Sequence, residues 1–152
     1  ASSDYPLRDV YKRQAGASLL EHVNKCIEAI HSPFAALVAK QKLAQCLRSA
    51  FGSSVLLIDI DNTCSRSMWL IEEDKAPLIA IITLPEQFPG ATPIVGLQSA
   101  QYHKNGHPLQ LAYTVEVPFS PRWSLDELAK RLVTFIMEKA PLFNVSCSSM
   151  SP

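Results

Sequence analysis

The sequence predicts an α+β domain: N-terminal helices, a four-stranded antiparallel meander, an irregular segment and a C-terminal helix. Three observations lead there. Apolar residues recur at helical spacing at both ends of the chain and are bracketed by capping residues. After Gly52 the pattern changes to short runs rich in β-branched and aliphatic residues. The gaps between those runs are 7, 5 and 9 residues, whereas a parallel crossover takes about a dozen or more, so the strands should pair antiparallel.

The first helix is expected from Ser18, because Ser18-Leu19-Leu20-Glu21 reads as a capping box in which hydroxyl and carboxylate satisfy free N–H groups. It should run to about Ile30 with Leu19, Val23, Cys26 or Ile27, and Ile30 on one face. His31-Ser32-Pro33 should interrupt it, with Ser32 as N-cap and Pro33 at the first position of a second helix. That second helix places Leu43, Leu47 and Phe51 four apart and stops at Gly52, the residue best suited to a left-handed cap. Strands are expected at Val55–Ile60, Met68–Glu72, Leu78–Leu84 and Ile94–Leu97, the last reached through a stiff proline-bracketed link, Pro85 to Pro93. Residues 100–123 show no period and are expected to be irregular. Ser124-Leu125-Asp126-Glu127 is a second capping box, opening a helix with Leu125, Leu128, Leu132 and Ile136 on one face and closed by Pro141.

The ends contribute little to this pattern. Residues 1–14 lack periodicity, and Asp4 to Gln14 resembles translated adapter sequence, so this stretch is expected to be a non-native or disordered leader. On that expectation the chain is the C-terminal part of a longer protein. The domain proper should then occupy residues 15–145, and the Ser-rich tail, residues 146–152, should be frayed.

Composition narrows the function. The 152 residues make about one domain. Fourteen basic and fourteen acidic side chains balance to zero net charge, which argues against nucleic acid or an anionic membrane as a direct partner. No apolar run approaches the roughly 18 residues of a membrane helix. Cys26, Cys46, Cys64 and Cys147 are scattered without a paired motif, as in a reducing compartment.

Several motifs invite chemistry. Asp59-Ile60-Asp61-Asn62-Thr63 after an apolar strand resembles the DxDxT signature of haloacid-dehalogenase-type phosphatases, in which two carboxylates share Mg²⁺. That fold continues into a helical crossover and adds a later acidic pair. Here a strand should follow within a few residues, so Asp59 and Asp61 are expected to serve a hairpin turn, which Asp-Asn suits well. His103 and His107 have metal-ligand spacing, but Asn105-Gly106 and Pro108 oppose a helix there, so loop histidines are expected. Cys26 and Cys46 should be inert core residues. No cofactor or metal site is expected.

Phe88-Pro89-Gly90-Ala91-Thr92-Pro93 and the following Ile94–Ser99 resemble the link into the fourth strand of ubiquitin-conjugating enzymes. Tyr102-His103-Lys104-Asn105 is similar to their Tyr-His-Pro-Asn motif, with Lys104 in place of proline. The thioester-forming cysteine of that family follows the asparagine by eight residues, and here that position is Tyr113; no cysteine lies between Cys64 and Cys147. A phenol cannot replace the thiolate. The chain thus resembles an inactive ubiquitin-conjugating-enzyme variant (UEV), related to RWD domains, and is expected not to be an enzyme.

Val117-Pro118-Phe119-Ser120-Pro121-Arg122-Trp123, with Glu127–Arg131, is similar to the C-terminal UEV-like domain of the BRE family. That family supplies scaffold subunits of the BRISC deubiquitinase and of a related nuclear DNA-damage complex. The resemblance implies a non-catalytic adaptor found in cytoplasm and nucleus. Its implied partners are deubiquitinase subunits, among them a von Willebrand A-like subunit, and ubiquitin. The residues it marks for partner contact are Tyr102, His103, Pro121, Arg122 and Trp123. Trp123 also precedes a helix N-cap, where it could pin the incoming loop to the core as a hydrophobic staple. The alternatives are a generic RWD interaction domain of another pathway and the DxDxT phosphatase.

Overall fold

The computed structural model describes the backbone of residues 5–73 and 76–150 and the side chains of residues 19–26, 33–73 and 76–150. The elements are α1 (Tyr5–Phe51), a 3₁₀ turn (Gly52–Ser54), β1 (Val55–Ile60), β2 (Arg66–Glu73), β3 (Ala76–Thr83), β4 (Ile94–Lys104), β5 (His107–Tyr113) and α2 (Leu125–Met150). The chain divides into two units, Ala1–Ala35 and Ala36–Pro152.

The first unit is helical from Tyr5. The expected break at His31-Ser32-Pro33 does not occur: the backbone is helical through Pro33, and likewise through Ser18, which therefore starts no helix. A proline removes one main-chain hydrogen bond, and the turns on either side can carry a long helix across that gap. Leu19, Leu20 and Val23 are exposed, and so is Cys26, whose Sγ lies 3.8 Å from His22 Nε2. The core position expected for Cys26 is thus incorrect. Residues 1–4 and the side chains of Ser18, Ile27 and Ile30 lie outside the described set.

In the second unit five strands form one antiparallel sheet in chain order, β1-β2-β3-β4-β5. The expected four strands fall where β1 to β4 lie; the fifth occupies part of the segment expected to be irregular. Its origin is the Asn105-Gly106 pair. Asn105 has φ 54° and Gly106 φ 78°, the left-handed pair that a two-residue hairpin loop needs to match the twist of its strands. Lys104 pairs with His107 across it.

The inner strands alternate, β4 as far as Ser99. Ser67, Trp69 and Ile71 of β2, Leu78, Ala80 and Ile82 of β3, and Val95, Leu97 and Ser99 of β4 are buried, while their neighbours are half-covered or exposed. This face packs against Leu43, Leu47 and Phe51 of α1 and against Leu128, Leu132 and Ile136 of α2, the spacings expected from the sequence. Phe51 stacks on Trp69 with ring centroids 4.9 Å apart. The buried Trp69 indole N–H donates to Ser67 Oγ at 2.8 Å, so neither polar group is orphaned. The entry to β4 is pinned by two buried residues of the proline link, Phe88 and Pro93.

α2 does not close at Pro141 and does not fray at Ser146. It continues to Met150, burying Phe143, Asn144 and Cys147 beyond the proline. Their burial offsets the bond lost at Pro141, and Ser148 and Ser149 donate their hydroxyls to carbonyls three residues back, both at 2.9 Å. Asn144 Nδ2 donates to the carbonyls of Ala76, at 3.3 Å, and Glu73, at 3.5 Å. It thereby ties the helix to the ends of β2 and β3.

Candidate functional site

The run Ser120–Trp123 enters α2 by a tight turn in which Trp123 N–H donates to the Ser120 carbonyl at 3.1 Å. Ser124 then caps the helix: its Oγ accepts the Glu127 N–H at 3.1 Å, and its carbonyl accepts the Leu128 N–H at 2.9 Å. Only half of the expected capping box forms. The Glu127 carboxylate turns away to Arg131 Nε at 2.8 Å, because an arginine one helical turn onward offers a charge-assisted partner. The same guanidinium lies 4.7 Å over the Trp123 ring. Trp123 is half-buried and packs on the core, whereas Pro121 and Arg122 are exposed. Glu127 and Arg131 form a support for Trp123 that sequence reasoning missed, although their i,i+4 spacing was visible.

Tyr102 lies within a bulge of β4 and His103 at its end. Between Gln98 and His103 the pairing with β5 shifts, so four β4 residues face one β5 residue. The buried Ser99 fills the gap in the ladder: its Oγ accepts the backbone N–H groups of Gln101, at 3.2 Å, and Tyr102, at 2.8 Å. Tyr102 rests partly against the core and His103 is exposed. Among the described residues no hydrogen bond joins this pair to the Pro121–Trp123 run. The five residues marked for partner contact come from two segments, Tyr102 and His103 from β4 and Pro121 to Trp123 from the turn before α2.

The two positions matched to the conjugating-enzyme motif, Asn105 and Tyr113, lie apart in the fold. Asn105 stands in the exposed hairpin turn, and Tyr113 closes the far end of β5, roughly 20 Å away along the strand. The Tyr113 ring meets Phe135 edge-on, with centroids 5.3 Å apart. Burial pushes its phenol above the ordinary range, Lys139 opposes the shift and Glu116 adds to it. Lys139 lies 3.4 Å from Glu116 and 5.8 Å from the Tyr113 ring. A cavity of about 210 Å³ opens next to this cluster, between β5 and α2, walled by Leu109, Leu111, Leu142, Phe143 and Met150.

The acidic motif is occupied by its turn. Asp61 Oδ1 accepts the Ser65 N–H at 2.8 Å, Thr63 Oγ1 reaches both Asp61 oxygens at 3.3 Å, and the Asp61 N–H donates to the Arg66 carbonyl. Cys64 adopts φ 56° to close the loop, and Lys40 Nζ donates to Ser65 Oγ at 3.0 Å. β2 then returns antiparallel to β1, so the chain does not enter the crossover that the phosphatase fold requires. His103 and His107 lie on paired strands at successive cross-strand pairs, hence on opposite faces. Among the described residues no group of three or more His, Cys, Asp or Glu side chains is placed to hold a metal ion.

No family model matches the chain. Over 105 residues it is 36% identical to the BRISC and BRCA1-A complex member 2 of Branchiostoma floridae, a match covering 66% of this chain and 27% of that protein. The chain therefore spans about a quarter of the length of this curated relative.

Proposed function

We propose that the chain is a UEV-like, non-catalytic scaffold domain of a BRISC-type deubiquitinase assembly. The 36% identity to a complex member carries the reading. The order of helix, antiparallel meander and helix is compatible with a UEV or RWD fold. Tyr113 occupies the sequence position at which a conjugating enzyme carries its thiol, and its ring packs edge-on against Phe135. The domain binds partner subunits, including the C-terminal peptide of a von Willebrand A-like subunit, and contacts ubiquitin. It works in cytoplasm and nucleus, without a cofactor and without direct contact to nucleic acid or membrane. Pro121, Arg122 and Trp123 offer one contact group, exposed around a supported indole; Tyr102 and His103 offer the other. Extended peptides bind such domains through main-chain bonds with side chains in alternate pockets.

Two measurements test this. The tagged chain, co-expressed with the von Willebrand A-like subunit, should retain it through affinity and size-exclusion steps; elution of the two as separate species overturns the scaffold reading. With activating enzyme, ATP and ubiquitin, no reductant-sensitive adduct should appear on a non-reducing gel. An adduct lost in a cysteine-free variant would make the chain a conjugating enzyme.

A further inference from the structure

The sequence contains four Ser/Thr-Pro pairs, at Ser32, Thr92, Ser120 and Ser151, and the fold treats them differently. Thr92 is exposed, but its Pro93 is fully buried at the entry to β4. Ser32 has helical backbone within α1. Ser151 lies outside the described residues. Ser120 is half-exposed in a segment that is neither helix nor strand, and Pro121 beside it is exposed. Two contacts hold the hydroxyl's surroundings: a 3.3 Å bond from the Arg122 N–H to Ser120 Oγ, and the Trp123 N–H to the Ser120 carbonyl. Opening this turn therefore breaks few interactions.

Proline after serine has a physical consequence for an enzyme that must grip the segment. It biases the serine toward extended backbone, and it brings no N–H, so a cleft without an acceptor at that position excludes other residues but loses nothing with proline. We propose that Ser120 is the phosphorylation site of a proline-directed protein kinase, and that its phosphate withdraws Arg122 from the partner. In the step Ser120 Oγ attacks the γ-phosphorus of ATP. The new O–P bond forms as the bond to the ADP oxygen breaks, and the hydroxyl proton passes to the kinase's base. The product carries about −1.5 to −2 charges two residues from Arg122, whose guanidinium pairs with it and ceases to be available. The second half of the proposal rests on the partner-contact reading given above; the first half does not.

The experiment incubates the full 152-residue chain with a purified proline-directed serine/threonine kinase and Mg-ATP, and maps phosphate by tandem mass spectrometry. Phosphate is expected chiefly on Ser120, and Ser120→Ala should cut incorporation at least tenfold while Thr92→Ala leaves it unchanged. Incorporation confined to Thr92, Ser32 or Ser151, or none at all, overturns the site. The phosphorylated chain should then capture the von Willebrand A-like subunit at least tenfold more weakly than the unmodified chain. Equal capture by both overturns the regulatory half, whereas no capture by the unmodified chain counts against the scaffold reading and leaves the mapped site standing.

Discussion

Trp123 links stability and recognition at one residue. The ring is half-buried on the core and covered on one face by Arg131, so Trp123→Ala loses less than a fully buried tryptophan, about 2–3 kcal/mol. The expected melting temperature is lower by roughly 5–12 °C, read by calorimetry beside a partner titration. An unchanged melt with lost binding would assign the ring to the interface alone. Tyr113 gives a second expectation, in pH. Its folded-state pKa is raised, by burial first, so between the ordinary value of about 10 and the higher folded value the unfolded chain releases a proton that the folded chain keeps. The contribution is complete below that window and lost as pH rises through it. Melts from pH 8 to 11 should fall more steeply for the wild type than for Tyr113→Phe; parallel curves refute the linkage.

At the scale of elements, the β4 bulge depends on one buried hydroxyl. Ser99→Ala leaves the Gln101 and Tyr102 N–H groups without their acceptor, a loss of about 1–3 kcal/mol. A shift in the denaturation midpoint at constant slope would report it; a change below about 0.5 kcal/mol would mean that other acceptors substitute. The bulge was not legible in the sequence, since Ser99 reads as an ordinary polar strand residue until its partners are known. The hairpin beyond it was legible: Asn105-Gly106 between alternating runs is a strong local signal, overshadowed here by the resemblance to a loop motif. Helix ends fared worst. The sequence places a break at His31-Ser32-Pro33, with Pro33 opening a second helix, and a stop at Pro141, yet helix continues through both. Local cost is visible in sequence, whereas the burial of Phe143 and Cys147 that outweighs it is not.

For the whole molecule, the buried hydrophobic core among the described residues lies in Ala36–Pro152, from Leu43 to Cys147. A chain beginning at Ala36 should therefore unfold in a single cooperative transition with a melting temperature within a few degrees of the full chain. Circular dichroism melts check this, and a broad or absent transition would show that the first unit contributes to the core. Among the described residues no helix is long and apolar enough to cross a membrane.

The sequence by itself determined the α+β class, the antiparallel pairing of β1 to β4, and the buried stripes Leu43-Leu47-Phe51 and Leu128-Leu132-Ile136. These follow from periodicity and loop length, which are local properties of the chain. It also determined the absence of a thiol at Tyr113. Tertiary structure alone decided that Arg131 covers Trp123, that Ser99 fills the bulge, that Asp61 is consumed by its own turn, and that Asn105 and Tyr113 stand at opposite ends of β5. Each of these depends on which groups meet in space, and a side chain with several available partners takes the one that folding brings nearest.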